Sequence, residues 1–320
     1  MLNSYNTVIS TINFNSDFYT IKLIDSLLKA SLNNCIIIIS DNNSNDDSYL
    51  NIDLHLQQKE WLSNKQLHVD NNQISTASHF QANNEVEFIL LQLCENYGFA
   101  KANNIAFRYV NNLVTFDYFW LLNNDTTILD SSLPALSSYA KKYNNNILLS
   151  SLIYKDVDCK KIWFSGGFYN KYFAIAGHNY AKFKTSKYKF LSGCSLFIPV
   201  EVIDKIGLLN EDIFLYAEDL EFSIRATAGG IPMDVVDSSI IFHVGGGSSI
   251  KRSYISYYNI TRYTISVIVN QHNRLLYITI IPYHILKIMY LFLFQSVPFS
   301  ALRGYIKGIN DAIFKGHKVK

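Results

Sequence analysis

Five consecutive apolar residues, Cys35–Ile39 (CIIII), leave this chain few ways to fold. A strand with one wet face alternates apolar and polar side chains. A short run that is apolar at every position is instead a strand covered on both faces, as in a parallel sheet. Phe88–Leu93 and Tyr118–Leu122 repeat the pattern, with helical spacing over Ala100–Asn111 between them. Asn6–Thr11 reads as a further strand, and Ile147–Ile153 closes this half. Asn15–Ser16 can cap a helix whose apolar positions Phe18, Ile21, Ile24, Leu27 and Leu28 would face the core. Alternating strands and helices predict an α/β fold, a doubly wound sheet with right-handed crossovers. Such sheets bind ligands beyond the carboxyl ends of their strands, so the chemistry is expected just after each apolar run. Residues 50–86, polar around Trp61, read as a surface excursion, and residues 155–190 as a hairpin or loop region around Ser165–Gly167. A second compact block runs from Ser192 to Ser249, and no internal repeat is found.

Composition removes several classes of function. Of 320 residues 49% are hydrophobic and 17% charged, and the formal net charge of +2 gives no field to steer the chain toward nucleic acid. With 22 Tyr, 21 Phe and 3 Trp the chain is too aromatic for disorder. The four cysteines, Cys35, Cys94, Cys159 and Cys194, lie far apart without CxxC spacing, and three sit in or beside apolar runs. No basic start followed by an apolar stretch marks a secretory signal, so a reducing, cytoplasmic setting is expected.

The strand ends are rich in polar groups. After Cys35–Ile39 comes Ser40-Asp41-Asn42-Asn43-Ser44, where Asp41 could accept a hydrogen bond from a uracil or thymine imide, or simply make a turn. After Phe88–Leu93 comes Asn96-Tyr97-Gly98-Phe99-Ala100, where Gly98, Ala100 and Ala102 would let a nucleotide approach a helix start. After Tyr118–Leu122 comes Asn123-Asn124-Asp125. Taken alone this is a turn; as the third polar strand end in succession, it offers hard oxygen ligands for Mg²⁺ or Mn²⁺ on a diphosphate. In the second block a helix is expected to begin near Glu218, placing Glu218, Asp219 and Glu221 in its first turn. There the helix dipole would lower a carboxylate's pKa. Ile240–Phe242 is a short strand ending at His243, followed by the glycine-rich segment Gly245–Ser249, which suggests a mobile or a phosphate-approaching loop.

In order along the chain these residues resemble the inverting family 2 glycosyltransferases of the GT-A fold, in the bacterial branch often called rhamnosyltransferase-like. Asn13-Phe14-Asn15-Ser16 resembles the family's N-Y-N-S, Asp41-Asn42-Asn43-Ser44 with Asp46 its D-N-x-S-x-D, and Asn96–Ala100 with Asn103-Asn104 its N-x-G-F-A helix start. Leu122–Thr126 stands where the family has its variant of Asp-x-Asp. Gly193–Ala226 follows the pattern ending F-x-Y-x-E-D-x-D-x-x-x-R, and His243 with Gly245–Ser248 follows H-x-G-G-x-S. The resemblance implies a mostly parallel, Rossmann-like sheet flanked by helices over residues 1–250. Its nucleotide-sugar half would be residues 1–150 and its acceptor half 151–250, with a helical membrane-peripheral segment over 251–320. It also implies roles. Asp219 would be the general base. Asn13, Asp41, Asn96, Gly98 and Asn103 would line the donor site. Asp125 and His243, with Asn123 nearby, would hold Mn²⁺ or Mg²⁺. Glu218, Glu221 and Arg262 would support the site or touch the acceptor. The donor implied is a nucleotide sugar, dTDP-rhamnose favoured over UDP-sugars, and the acceptor a lipid-linked glycan of bacterial surface polysaccharide such as O-antigen or capsule. Departures from the pattern, namely Leu209-Asn210 for Phe-Asp, Glu221 for Asp, Pro199-Val200 for a basic residue and Tyr263 for Asn, bear on sugar and acceptor more than on chemistry.

Leu275–Val297 is apolar but holds His284 and Lys287 in mid-segment, which argues against a spanning helix. A helix lying in the membrane interface is expected, with Arg303, Lys307, Lys315, Lys318 and Lys320 meeting anionic headgroups on the cytoplasmic side. A helix packed on the catalytic domain is the alternative. Two other functions are conceivable. A nucleotidyltransferase would need a Gly-rich basic loop that Val8–Ser16 lacks, and a degenerate glycan-binding subunit is disfavoured by the joint presence of Asp125, Asp219 and His243.

Overall fold

The computed structural model describes residues 4–59, 61, 63–68, 72–83, 85–155, 157–159, 161–180, 189–243, 253–295 and 297–315. The expected Gly245–Ser249 loop and the cations Lys318 and Lys320 lie outside the described residues. Strand β1 (Ser4–Asn13) leads through helix α1 (Asp17–Lys29) to β2 (Cys35–Asp41), whose every residue is buried, as its unbroken apolar run requires. Next come α2 (Ser48–Gln57), β3 (Ser63–His68), β4 (Ile74–Asn83), β5 (Val86–Leu93), α3 (Gly98–Asn111) and β6 (Thr115–Leu122). The short β7 (Thr126–Ile128), α4 (Ser132–Lys142) and β8 (Leu148–Tyr154) follow. The second block contributes β9 (Ile162–Phe164), β10 (Gly167–Asn170), β11 (Ile175–His178), β12 (Lys189–Phe190), β13 (Ser195–Pro199), α5 (Val200–Ile206), α6 (Glu218–Ala228) and β14 (Met233–His243). Helices α7 (Tyr254–Gln271), α8 (Tyr277–Phe294) and α9 (Phe299–Phe314) come last.

One sheet runs in the order β3-β4-β5-β2-β1-β6-β13-β8-β14-β7, with β9 on β8. Strands β5, β2, β1 and β6 are parallel, as are β8 and β14, while β13 runs antiparallel between β6 and β8. The chain builds outward from β1 through β2 and β5, then returns to lay β6 on the other side of β1. That reversal is a topological switch point, and open α/β sheets bind ligands outside the carboxyl ends of the strands at such a point. The two expected halves share this sheet, because β13 and β14 of the second block interleave with β6, β8 and β7 of the first.

Two expectations are corrected. Residues 50–86 are not a loose excursion: α2 packs beside α1 with Ile52 and Leu56 buried, and β3 and β4 extend the sheet as antiparallel strands. In β4 the apolar residues Ile74, Ala77 and Phe80 are buried among half-exposed polar ones, the mixture a half-wet strand carries. Trp61 anchors this edge by stacking on Phe88 at 5.1 Å. In α1, Phe18 is 59% exposed and Leu23 takes a place in the core, because the helix turns its 20–24–27 stripe inward. Of the three cysteines in or beside apolar runs, where a buried thiol is expected, Cys35 and Cys194 are buried, but Cys94 is exposed because it lies just past the end of β5; Cys159 is exposed as well.

Helices α7 and α9 approach closely. A side chain on Gly304 would collide with the Tyr254 carbonyl, and one on Gly308 would lie 2.7 Å from the Tyr258 carbonyl oxygen. Helix α8 lies against this pair differently. His284 is 3% exposed, its ring nitrogens meeting the Tyr305 hydroxyl and, at 3.0 Å, the Phe173 carbonyl. Lys287 Nζ sits 5.4 Å from the Tyr305 ring centre. The polar pair that interrupted the apolar segment is therefore turned toward the protein. The opposite face, with Ile278, Ile285, Leu286, Met289 and Leu293 exposed, carries no charge, where a surface helix in water is normally polar. Arg274–Phe294, 21 residues, is long and apolar enough to cross a membrane by length and composition. Helix α8 also holds the turn of the β10–β11 hairpin, since Thr279 Oγ1 donates to the Tyr172 carbonyl at 2.6 Å and Tyr283 meets Phe173 with ring centres 4.9 Å apart.

The close crossing gives a direct check. Gly304→Ala forces α9 away from α7 and is expected to cost about 1–3 kcal/mol, read as a lower melting temperature and faster proteolytic release of the C-terminal helix. An exposed-face control, Asn310→Ala, should melt like the wild type.

Candidate active site

Strand pairing brings the distant motifs together. His243, the last residue of β14, pairs with Thr126 at the start of β7, which sets its side chain against Asp125. His243 Nε2 lies 3.2 Å from Asp125 Oδ1, and both side chains are buried. Ser195, the first residue of β13, pairs with Leu122, the last of β6, so the chain just before β13 runs beside the Asn123–Asp125 turn. There the Asn123 amide donates to the Cys194 carbonyl at 3.1 Å. The neighbouring Gly193 amide donates to Asp219 Oδ2 at 2.9 Å. The buried Cys194 thiol is raised well above its ordinary pKa, first by desolvation and then by the charges of Asp125 and Asp219. Asp125, Asp219 and His243 thus converge on one end of the sheet, around Gly193–Cys194.

The start of α6 is strained. Tyr216 and Ala217 both adopt left-handed backbone, with φ of 70° and 68°, in residues other than glycine. Such conformations cost about 1–3 kcal/mol each and persist where the surroundings impose them. The turn delivers Glu218 and Asp219 into the first helical turn. Asp219 Oδ1 accepts from the Leu220 amide at 2.7 Å. The expected lowering of its pKa by the helix dipole is overturned: burial raises it, against the partly offsetting amides of Gly193 and Leu220. Glu218 is buried with Oε2 unpartnered, and desolvation together with the charge of Asp219 pushes it from 4.5 up to about 8. Glu221 is a supporting residue. It pairs with Arg225 at 2.8 Å, and Arg225 in turn donates to the carbonyls of Ile206 and Leu208, tying α6 to the end of α5.

On the donor side, the expected residues build the loops that frame this end of the sheet. Asn13 is 0% exposed and Asp41 1% exposed. Asn13 Nδ2 donates to Asp41 Oδ1 at 2.7 Å, and the Ser44 amide and hydroxyl close on the same carboxylate at 3.0 and 2.6 Å. Asp41 therefore pins the strand-end turn, and its carboxylate does not stand open to a base. Thr20 links Asn13 onward to Asn124 of the third strand end. Asn96 Oδ1 accepts from Asn42 and from the Gly98 amide, shaping the helix start while remaining half-buried. Asn103 is 1% exposed and joins β1 to α3, accepting from Ser10 Oγ at 2.8 Å and donating to the Phe99 carbonyl. The room left by Gly98, at φ 74°, is taken by the Phe214 carbonyl and not by a ligand approach, which locks α3 to the loop before α6. Arg262 lies on α7 against Tyr258, whose hydroxyl donates to Asp311 of α9, so it serves the C-terminal helices.

Sequence reading missed a cluster on the β9–β11 region. The Trp163 ring lies 4.4 Å from that of His243, inclined by 32°. His178 packs on the edge of Trp163 at 4.7 Å, and burial, then the charge of His243, lower its pKa to about 4. Only the rarity of tryptophan could have drawn attention to position 163.

The residues present fit a divalent cation. Two ligands of one octahedral ion at 2.0–2.1 Å lie about 3 Å apart, close to the Asp125–His243 separation of 3.2 Å. Among the described residues no group of three or more His, Cys, Asp or Glu forms a metal cage. A cation held by one or two protein ligands and completed by phosphate oxygens is the Mg²⁺-type arrangement.

By fold the chain is similar to the crystal structure of GalNAc-T7 with UDP, GalNAc and Mn²⁺, at 15% identity and a TM-score of 0.55, over 83% of this chain and 48% of that one. It thus spans about half the length of that protein. It is similar to the mannosyltransferase PcManGT from Pyrobaculum calidifontis in complex with GDP-Man and Mn²⁺, at 11% identity and a TM-score of 0.55, over 98% and 77% of the two chains. Residues 1–349 of S. aureus TarS in complex with UDP-GlcNAc match at 16% identity and a TM-score of 0.55, over 96% and 80%. No curated protein matches the chain by sequence. The sequence profile of glycosyl transferase family 2 matches residues 9–207, more than half of the chain, and on this ground the protein belongs to that family as a glycosyltransferase of the GT-A fold.

Proposed function

We propose that the protein transfers a sugar from a nucleoside-diphosphate donor to a hydroxyl of a lipid-linked glycan, with inversion at the anomeric carbon. The observation that carries this reading is the convergence of Asp125 and His243 with Asp219 across Gly193–Cys194. Asp125 and His243, with Asn123 beside them, would hold Mn²⁺ or Mg²⁺, which when bound offsets charge on the departing diphosphate. Two of the similar structures hold Mn²⁺ beside a nucleotide or nucleotide sugar, which supports that class of donor. The acceptor oxygen attacks the anomeric carbon as the carbon–oxygen bond to the diphosphate breaks, the leaving group keeps the electron pair, and the hydroxyl proton passes to Asp219.

Burial makes Asp219 a stronger base than an exposed aspartate, and its two backbone donors hold the carboxylate in one orientation. Burial and the charge of Asp219 favour the neutral form of Glu218, which limits the negative charge on the pair. From the motif order, dTDP-rhamnose is the favoured donor, with UDP-linked hexoses and UDP-galactofuranose behind it, and the product is bacterial surface polysaccharide. The chargeless outer face of α8 supports a helix lying in a membrane interface, and we place the protein on the cytoplasmic face of the bacterial inner membrane.

Asp219→Asn is expected to lower transfer from dTDP-rhamnose by at least about 100-fold, while the rise in melting temperature given by that donor with Mn²⁺ persists. Stabilisation by UDP-sugars alone reassigns the donor, and full activity in the variant removes Asp219 from the role of base. Glu218 supplies a pH test. A carboxyl that titrates higher folded than unfolded favours the folded state while protonated, and opposes it once pH climbs from the ordinary value past the raised one. Glu218→Gln should therefore raise the melting temperature by about 2 °C or more at pH 9 and leave it nearly unchanged at pH 4. For the membrane, the protein should co-sediment with anionic vesicles, and Leu286→Glu with Leu293→Glu should cut the bound fraction at least tenfold. Equal sedimentation of the pair variant removes α8 from the contact.

A further inference from the structure

Metal-ligating histidines are ordinarily oriented through their second ring nitrogen, which donates to a carboxylate or a backbone carbonyl. His243 departs from this. Its Nε2 faces Asp125, but among the described residues its buried Nδ1 has no hydrogen-bond partner. Beside the Nε2 contact with Asp125, the imidazole meets the ring of Trp163, 4.4 Å away and inclined by 32°, a contact that can hold its plane.

The backbone around Trp163 is built to make that contact. In the pairing of β9 with β8, Ile153 lies opposite Phe164 and Tyr154 opposite Ile162, so Trp163 is the extra residue of a β-bulge. Bulges beside active sites commonly re-aim a side chain that regular pairing would direct elsewhere. The tryptophan is then braced from a second strand. His178 on β11 meets it edge-on at 4.7 Å and stands edge-on to Phe164 at 5.0 Å. The far turn of the same hairpin is held by α8 through Tyr172 and Phe173.

The geometry points to Trp163 as a positioning residue for the cation site: its ring, tilted against the imidazole in close contact, fixes the plane of His243 so that Nε2 and Asp125 Oδ1 are presented together. This rests on the reading of Asp125 and His243 as cation ligands, and the role of Trp163 is assigned separately from it. Removing this contact frees the imidazole to turn, and affinity for the cation falls by the amount typical of a lost outer contact, about 10–100-fold. A phenylalanine keeps a flat face at the same position and should retain affinity within about threefold of wild type.

The test uses the full-length protein with histidine rings isotopically labelled, Mn²⁺ alone as the probe, and His243→Ala to assign the His243 signals. In the wild type the signals carry the upfield shift of a ring held against indole and broaden as Mn²⁺ is added. Asp125→Ala should move the midpoint of that broadening to much higher Mn²⁺. Trp163→Ala should lose the upfield shift and raise the midpoint 10–100-fold, whereas Trp163→Phe stays near wild type. Trp163→Leu, which fills volume without a flat face, should behave like Ala and decides the matter if the alanine variant does not fold. Midpoints for Ala or Leu within twofold of wild type, with Asp125→Ala still impaired, overturn the role of Trp163 alone. No effect of Mn²⁺ on wild-type His243, or an effect indifferent to Asp125, overturns the cation reading and this one with it.

Discussion

The antiparallel laying of β13 against β6 carries more of this protein than any side-chain contact. It sets Ser195 opposite Leu122, and from that register the Asn123 amide reaches the Cys194 carbonyl while the Gly193 amide reaches Asp219. The pairing of β14 with β7 does the same for His243 and Asp125. A slip of one residue in either ladder would turn every side chain to the opposite face, and the proposed base and cation ligands would part. Buried apolar strands make such slips costly, because a shift would expose Trp120, Phe197 or Ile241, all of which are fully buried.

Around that frame the site accepts local costs. Left-handed backbone at Tyr216 and Ala217 and, among the described residues, an unpartnered Glu218 oxygen and an unpartnered His243 nitrogen are each unfavourable taken singly. They sit together at the end of the sheet where ligands bind, and the surrounding structure holds them. Gly98 is filled by the Phe214 carbonyl, Arg225 clamps the end of α5, and Asn13, Asp41 and Ser44 close the turn beside them. A rigid rim of this kind lets Asp219 keep a raised pKa without losing its orientation, which is what a base accepting a hydroxyl proton needs.

The C-terminal helices tie the other side of the site to the outer surface. Helix α9 docks on α7 through two glycines, and α8 turns His284 and Lys287 inward, leaving an apolar outer face. The hairpin that reaches from α8 back to His178 and Trp163 places the proposed cation pair at one end of a continuous packed path and the chargeless helix face at the other.

Much of this was legible in the residues. Cys35–Ile39 could only be a doubly covered strand, and the polar groups after each apolar run stand at the ligand end of the sheet, because a period-two backbone with every position apolar admits no wet face. The motif order picked out Asp125, Asp219 and His243, which the fold brings together. Local pattern failed where burial or pairing decided. It could not show that Asp41 and Asn103 are spent on internal hydrogen bonds, nor that Arg262 belongs to α7 and α9. The direction of the Asp219 shift was misjudged for the same reason, since the helix dipole is read from sequence position whereas desolvation depends on what packs around the carboxyl group. Residues 50–86 read as a surface excursion because strands near a sheet edge share its polar composition. By itself, then, the sequence determined the layered architecture and the family. Only the tertiary structure decided which polar side chains converge at the proposed site and which hold the frame, and that a bulged tryptophan stands against His243, because those outcomes depend on contacts between residues far apart in the chain.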